Sequence, residues 1–226
     1  MKVSIIIPMY NEESCFQALI QRIETLATHL QAKLEVVFVD DHSSDNTPLL
    51  LSQLYEGSNV MYKSLRLSRN TGSHIAIIAG IQNCTGDCAV FMAADLQDPP
   101  EAILLLVSKI EEGFAGVFAC RKGSYESAIR LLQSKIFKQL LHFLCKVPAN
   151  AGMFVAVNRK MIERVLPFCP DLPFLVPLMG FSGLSTASIV VERPKRIKGV
   201  SGYSSYKRFK LAFEILLSVL RKKFFH

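Results

Sequence analysis

Two hydrophobic rhythms alternate along the chain. Short, almost wholly apolar runs at residues 3–7, 35–39 and 88–93 read as strands buried on both faces. Runs at 60–67, 115–120, 152–157 and 188–191 are also read as strands, the last as an edge strand. Between them the apolar positions fall at helical spacing. After the first run they recur at 16, 19, 20, 23, 26, 27 and 30, with Asn11 placed to cap the helix. Thr47-Pro48 starts a second helix as a cap followed by an N1 proline, and further helices are predicted over 73–83, 100–112, 126–145 and 204–224. Strand and helix alternating in this way imply an α/β fold with a mostly parallel central sheet and helices on both faces. The predicted division is one domain over residues 1–203 and a basic amphipathic helix over 204–226.

Polar residues gather where the strands end. Glu12 and Glu13 follow the first strand, Asp40, Asp41 and Asp45 the second, and Asp95 and Asp98 the fourth. In a parallel sheet these ends share one edge, where open α/β sheets bind their ligands. At the fourth strand Asp98 is predicted as an N-cap, Pro99 as the first helical residue and Glu101 as the closing residue of a capping box. Asp95 and Gln97 then sit at the strand–helix elbow. One carboxylate and one amide suit a hard divalent cation held also by phosphates and water. Neither GxGxxG nor GxxxxGK followed by Ser or Thr occurs, which argues against a dinucleotide oxidoreductase or a P-loop enzyme. A nucleotide held through a metal and side chains remains.

Composition adds a partner class. With 226 residues the chain is long enough for one large α/β domain. Half its residues are hydrophobic and the mean hydropathy is +0.28, which brings a membrane into view. A formal charge of +7 points to an anionic partner, and with no nucleic-acid-reading motif that partner is read as phosphate-bearing substrate or anionic membrane, not nucleic acid. The six cysteines form no CxxC pair and read as reduced core residues of a cytoplasmic protein. Only Lys2 precedes the first strand, so no secretory signal is expected. The charge-free span 172–191 is interrupted by Pro173, Pro177, Gly180 and Gly183 and reads as a buried loop leading to the edge strand. In the last helix Lys207, Lys210, Glu214, Ser218 and Arg221 make one polar stripe, while Phe209, Leu211, Phe213, Leu216, Leu217 and Leu220 cover much of the remainder. It is read as an interfacial helix on the inner face of a membrane, with packing onto the domain as the competing fate.

Four stretches carry a family resemblance. Residues 4–12 (Ser-Ile-Ile-Ile-Pro-Met-Tyr-Asn-Glu), 39–45 (Val-Asp-Asp-His-Ser-Ser-Asp), 67–72 (Leu-Ser-Arg-Asn-Thr-Gly) and 94–101 (Ala-Asp-Leu-Gln-Asp-Pro-Pro-Glu) resemble the successive motifs of the family 2 glycosyltransferases, in order and spacing. The closest branch includes dolichyl-phosphate mannose synthase and the bacterial polyprenyl-phosphate glycosyltransferases. The resemblance implies a GT-A fold and an inverting transfer from a nucleoside-diphosphate sugar. It also implies that Pro8, Tyr10, Glu12, Val39 and Asp41, with Ala93 and Ala94, line the donor pocket, and that Asp95 and Gln97 hold Mg2+ or Mn2+ against the diphosphate. Arg121 and Arg196 match phosphate clamps, a role suited to a planar guanidinium. Asp95, Arg121 and Arg196 are thus the implied catalytic group.

The chain departs from the pattern in three places. Ala93-Ala94-Asp95 stands where the family has Asp-x-Asp, Asn150 to Val155 lacks the charges of the family's Asp-x-Gly-Asp-Phe-Arg stretch, and Gly199-Val200-Ser201-Gly202 lacks a lysine. The two C-terminal membrane spans of several bacterial members do not appear in these residues. After Glu112 the only carboxylates are Glu126, Glu163, Asp171, Glu192 and Glu214. A sugar hydroxyl needs a general base and a lipid phosphate does not, so this scarcity favours a polyprenyl-phosphate acceptor. Two alternatives stay open: a cell-surface polysaccharide glycosyltransferase with Asp171 as base, and a nucleotide-sugar-binding pseudoenzyme subunit. A homo-oligomer or a membrane partner protein is open on either.

Overall fold

A computed structural model describes residues 1–54, 60–122, 128–192 and 205–225, with side chains described in those spans except at 121–134, 205–209 and 224–225. The first half alternates strictly: β1 (Lys2–Met9), α1 (Glu13–His29), β2 (Lys33–Asp40), α2 (Thr47–Ser52), β3 (Val60–Arg66), α3 (Ser73–Asn83), β4 (Cys88–Phe91) and α4 (Ala102–Glu111). The second half holds β5 (Gly116–Lys122), α5 (Ala128–Cys145), β6 (Val155–Asn158), α6 (Arg159–Val165), a 3-10 turn at Leu166–Phe168, α7 (Leu175–Phe181), β7 (Thr186–Glu192) and α8 (Ser205–Phe225).

The seven strands form one sheet in the order β3-β2-β1-β4-β6-β5-β7. All neighbours are parallel except that β6 runs antiparallel to both β4 and β5. Because β6 is flanked by two reversals, β5 and β7 point the same way as β1 to β4. Alternate side chains of each strand then feed two cores. Val3, Ile5, Ile7, Met9, Val36 and Phe38 face α1, α2 and α4, while Ile6, Val37, Val39, Phe91 and Phe118 face α3 and α5 to α8. α3 lies close to the sheet because residue 80 is glycine; a Cβ there would stand 2.3 Å from Ile6 Cγ2.

The predicted α/β architecture stands, with five local corrections. Thr47 does not cap α2 but opens it, with Asn46 at the N-cap, and the Thr47 hydroxyl oxygen accepts from Glu12 N at 3.0 Å. Asn11 does not cap α1: Glu12 occupies the N-cap without a side-chain capping bond, and Asn11 Oδ1 instead accepts from Ser44 N at 2.8 Å. Asp98 does not cap α4, which begins at Ala102; Asp98 Oδ2 accepts from Ala93 N at 3.2 Å, and Glu101 pairs with Arg22. Residues 152–154 lie outside β6. The span 172–191 is not a loop throughout, because α7 interrupts it. Pro177 falls in the first turn of α7, where its missing N–H breaks no helical bond. Gly180 serves close packing, since a Cβ would stand 2.1 Å from the Cys145 carbonyl oxygen. All six cysteines are buried and unpaired, as their apolar settings predict.

At the sheet edge where the parallel strands begin, Glu35 is fully buried and ties three elements together. Its carboxylate accepts from Lys63 Nζ at 2.7 Å, Lys2 Nζ at 3.3 Å, Thr85 N at 2.8 Å, Thr85 Oγ1 at 2.9 Å and the Ser4 hydroxyl. Burial alone would push its pKa up, but the bonds from Lys63, Ser4 and Thr85 outweigh burial and hold it at about 2. A carboxylate depressed in the folded state stabilises the fold fully above its ordinary pKa and loses that contribution as pH falls toward the folded value. The shift from 4.5 to about 2 corresponds to about 3 kcal/mol. Glu35→Gln is therefore expected to cost about 3 kcal/mol at pH 7 and to flatten the acid loss of stability between pH 4.5 and 2. Urea denaturation across that range checks it; an unchanged pH profile would remove Glu35 from the acid transition.

Candidate active site

β1, β2 and β4 lie side by side and deliver their loops to one edge. The strands end at different heights: Met9 pairs with Asp40, whereas Phe91 pairs with Ile6. β4 therefore leaves the sheet three residues before β1 does, and the elbow at Ala93 to Asp98 fills the space beside the end of β1. Met92 N still donates to Ile6 O at 3.2 Å.

The loops after β1 and β2 are locked into each other. Asn11 N donates to Ser43 Oγ at 3.0 Å, Glu12 N to Thr47 Oγ1 at 3.0 Å and Glu13 N to Asp45 Oδ2 at 3.1 Å. In return, Asn46 Nδ2 donates to Glu13 Oε1 at 2.8 Å and Ser44 N to Asn11 Oδ1. Asp41, buried, closes the next loop: Oδ1 accepts from Thr71 N at 2.7 Å and Thr71 Oγ1 at 3.0 Å, and Oδ2 from Gly72 N at 2.7 Å. Gly72 holds φ +91°, which a glycine adopts without penalty. Asp40 Oδ1 accepts from Ser43 N at 2.9 Å, and its other oxygen lies 3.3 Å from Arg66 Nε, an ion pair too far off line to be a hydrogen bond. Glu13 after β1 and Asp41 and Asp45 after β2 thus each hold another loop's backbone, while Asp40 braces its own loop.

Three residues other than glycine sit at positive φ in the same loops: Asn11 at 55°, His42 at 65° and Leu96 at 59°. Such backbone costs free energy and concentrates at functional sites. Leu96 is fully buried, which pins the elbow so that Asp95 and Gln97 flank an anchored apolar residue. Asp95 is 8 % exposed, and its Oδ1 accepts from Gln97 N at 3.1 Å.

Cys15, which the sequence reading treated only as a core thiol, joins two of the loops. Its thiol donates to Glu12 Oε2 at 3.1 Å and lies 3.4 Å from the Ala94 carbonyl oxygen. Burial, then the neighbouring charges of Glu12 and Asp95, push its pKa up, so it remains a protonated linker. Its position one helical turn after Glu12 was the only available signal. His74 was also missed. In the first turn of α3, it lies edge-on to Phe174 at 4.9 Å, and its Nδ1 has no hydrogen-bond partner. That contact brings the segment leading from Asp171 into α7 to the same edge.

The other predicted residues divide clearly. Tyr10 is 49 % exposed in the loop after β1, and Pro8, near the end of that strand, is half-buried. Val39 is fully buried beneath Gly80, so its side chain belongs to the core between the sheet and α3. Ala93 is half-buried and Ala94 buried. Arg121 pairs with Val191 in register, which puts its backbone at this edge. Arg196 lies outside the described residues.

A model of the family described as glycosyl transferase family 2 matches residues 4–166. The chain belongs to glycosyl transferase family 2. It is 33 % identical over 216 residues to the undecaprenyl-phosphate 4-deoxy-4-formamido-L-arabinose transferase of Pseudomonas savastanoi pv. phaseolicola, a match that covers 95 % of this chain and 64 % of that protein. Among solved structures it resembles glucosyl-3-phosphoglycerate synthase from Mycobacterium tuberculosis. With the form bound to Mn2+, uridine diphosphate and phosphoglyceric acid, the TM-score is 0.70 at 16 % identity, over 99 % of this chain and 78 % of that one. Another structure of that synthase superposes with a TM-score of 0.67 at 17 % identity, over 98 % and 80 %. This family 2 domain therefore has the GT-A fold.

Among the described residues no three His, Cys, Asp or Glu side chains form a ready metal cage. Asp95 and Gln97 fit a cation that needs few protein ligands because a diphosphate supplies the others.

Burial pushes the His74 imidazole down to about 4. Between pH 6.5 and 4 the unfolded chain binds a proton that the folded chain refuses, so stability falls as pH drops through that window. His74→Phe, which keeps a ring against Phe174, is expected to recover about 1–2 kcal/mol at pH 5 relative to pH 7. Paired chemical denaturations check this; an equal loss in both proteins would show that His74 does not carry it.

Proposed function

We propose that this family 2 domain transfers a sugar, with inversion, from a nucleoside-diphosphate donor to a polyprenyl-phosphate acceptor at the cytoplasmic face of a membrane. The observation that carries the donor half is the convergence of the Tyr10–Glu12, Asp41 and Asp95–Gln97 loops at one edge of a parallel sheet, with Cys15 joining two of them. On this reading Pro8, Tyr10, Glu12, Asp41, Ala93 and Ala94 shape the donor pocket, with Val39 in the core below it. Asp95 and Gln97 would hold Mg2+ or Mn2+, whose charge would offset the negative charge gathering on the leaving diphosphate. Arg121 and Arg196 are proposed to grip the phosphates, and residues 1–203 to form the transferase unit that carries the helix at 204–226.

Two observations support the lipid acceptor. The relative named as an undecaprenyl-phosphate transferase aligns with 95 % of the chain. A phosphate acceptor is also already a nucleophilic anion, so the paucity of carboxylates after Glu112 is no obstacle. One observation favours the second reading, transfer to a sugar hydroxyl: Asp171 is exposed on the segment that the Phe174–His74 contact brings to the site edge.

The test is purified protein incubated with UDP-, GDP- and TDP-sugars, with Mg2+ or Mn2+, with and without a polyprenyl phosphate. One donor is expected to be consumed only when the lipid phosphate is present, with Asp171→Asn as active as the parent. Loss of activity in Asp171→Asn, or consumption with a sugar acceptor alone, would transfer the assignment to the second reading.

Asp95→Asn is expected to lower transfer about a hundredfold or more without changing thermal stability. Ala93→Asp is expected to tighten Mn2+ binding in the presence of UDP by supplying a second carboxylate. Full transfer by Asp95→Asn would place the cation elsewhere.

A further inference from the structure

Three loops meet beyond the ends of β1, β2 and β3, and His42 stands at their junction. Ser43, after it, accepts from Asn11 N in the loop that follows β1, and Asp41, before it, accepts from Thr71 N and Gly72 N in the loop that follows β3. Met9 pairs with Asp40, so Tyr10 leaves β1 beside Asp41, and the exposed residues Tyr10 and His42 flank that buried carboxylate. His42 holds φ 65° although its side chain is exposed. Such backbone costs free energy, an exposed ring recovers little of it by burial, and glycine would make the same turn without the penalty. Folding alone therefore gives no reason for an imidazole at this position.

The bonding of the ring fixes what it offers to a ligand. Among the described residues it makes one hydrogen bond, with Nδ1 3.3 Å from the Leu67 carbonyl oxygen. A carbonyl can only accept, so in the neutral ring Nδ1 carries the hydrogen and Nε2 keeps its lone pair. We propose that His42 is a specificity-determining residue for the sugar donor, its Nε2 accepting the ring N–H of a lactam-type nucleobase: uracil, thymine or guanine. Cytosine and adenine carry a bare ring nitrogen at that place, so two lone pairs would meet. A site discriminates strongly by this means, because the wrong ligand covers the site's own polar group and leaves it without a partner. The assignment rests on these loops being the donor pocket, and adds to that reading the class of base.

Calorimetric titration of the parent chain and of His42→Gly with UDP, TDP, GDP, CDP and ADP, each with Mn2+, tests this at mildly alkaline pH, where an imidazole is neutral. The tightest of UDP, TDP and GDP is expected to bind the parent about tenfold or more tighter than CDP and ADP do, and that arm names the base. In His42→Gly the ratio is expected to fall about tenfold. Methylating the ring nitrogen of the preferred base should cost the parent about tenfold or more and the variant little. The melting temperature of the variant is expected to stay within about 2 °C of the parent, since glycine relieves the backbone while freeing the unfolded chain. A variant that keeps the parent's ratio overturns the assignment and leaves the donor reading intact, as does a parent that prefers CDP or ADP. An equal loss of affinity for all five nucleotides, or unchanged affinities with a lower melting temperature, makes His42 a brace between loops and overturns it too. If none of the five binds the parent, the donor reading falls with it.

Discussion

Carboxylates crowded at the end of a parallel sheet repel one another unless something positive meets each of them. In this chain that role falls largely to backbone N–H groups of the same or a neighbouring loop. Asp45 meets Glu13 N, Asp41 meets Thr71 N and Gly72 N, and Asp40 meets Ser43 N. The exchange satisfies loop amides that no ladder reaches, and it spreads negative charge over dipoles. It also makes the geometry of each loop depend on its neighbours. The positive-φ conformations at Asn11 and His42 persist because these cross-loop bonds over-determine them.

The sheet supplies the frame on which this exchange takes place. Four parallel strands bring the loops within hydrogen-bonding reach, and the early end of β4 makes room for the Ala93–Asp98 elbow. The reversal at β6 lets β5 and β7 point their far ends back to the same edge, so the backbone of Arg121 reaches the end of the sheet where the loops of the first half gather. Gly80 and Gly180 set how closely α3 approaches the sheet and α7 approaches the end of α5, and so where His74 and Phe174 meet.

Much of this architecture was legible in the residues. Strands buried on both faces are almost continuously apolar, which made β1, β2 and β4 plain, and the helix at 73–83 was predicted to the residue. Strand direction leaves no trace in hydrophobic pattern, so the reversal at β6 could not be read. Cap signatures are local, and they failed at Asn11 and Asp98 because non-helical partners competed for those side chains: Ser44 for one, Ala93 for the other. α7 was hidden because its proline and glycine look like breakers. At the candidate site the acidic residues were legible as a group but not by task. Asp45 and Glu13 serve loop architecture, and neither the Cys15 link nor the His74–Phe174 contact has a linear signature.

The two edges of the sheet are held by bonds of different reach. At one edge the buried Glu35 carboxylate gathers Lys2, Ser4, Lys63 and Thr85 from β1, β3 and the turn before β4, so it cannot let go without separating strands. At the other edge the bonds run mostly between loops and leave the ladders untouched. Amide hydrogen exchange should therefore grade along the strands, with the slowest, globally opening amides near Glu35 and sub-global opening confined to the loop end. Such a gradient lets the loops rearrange around a bound molecule while the ladder beneath them stays closed.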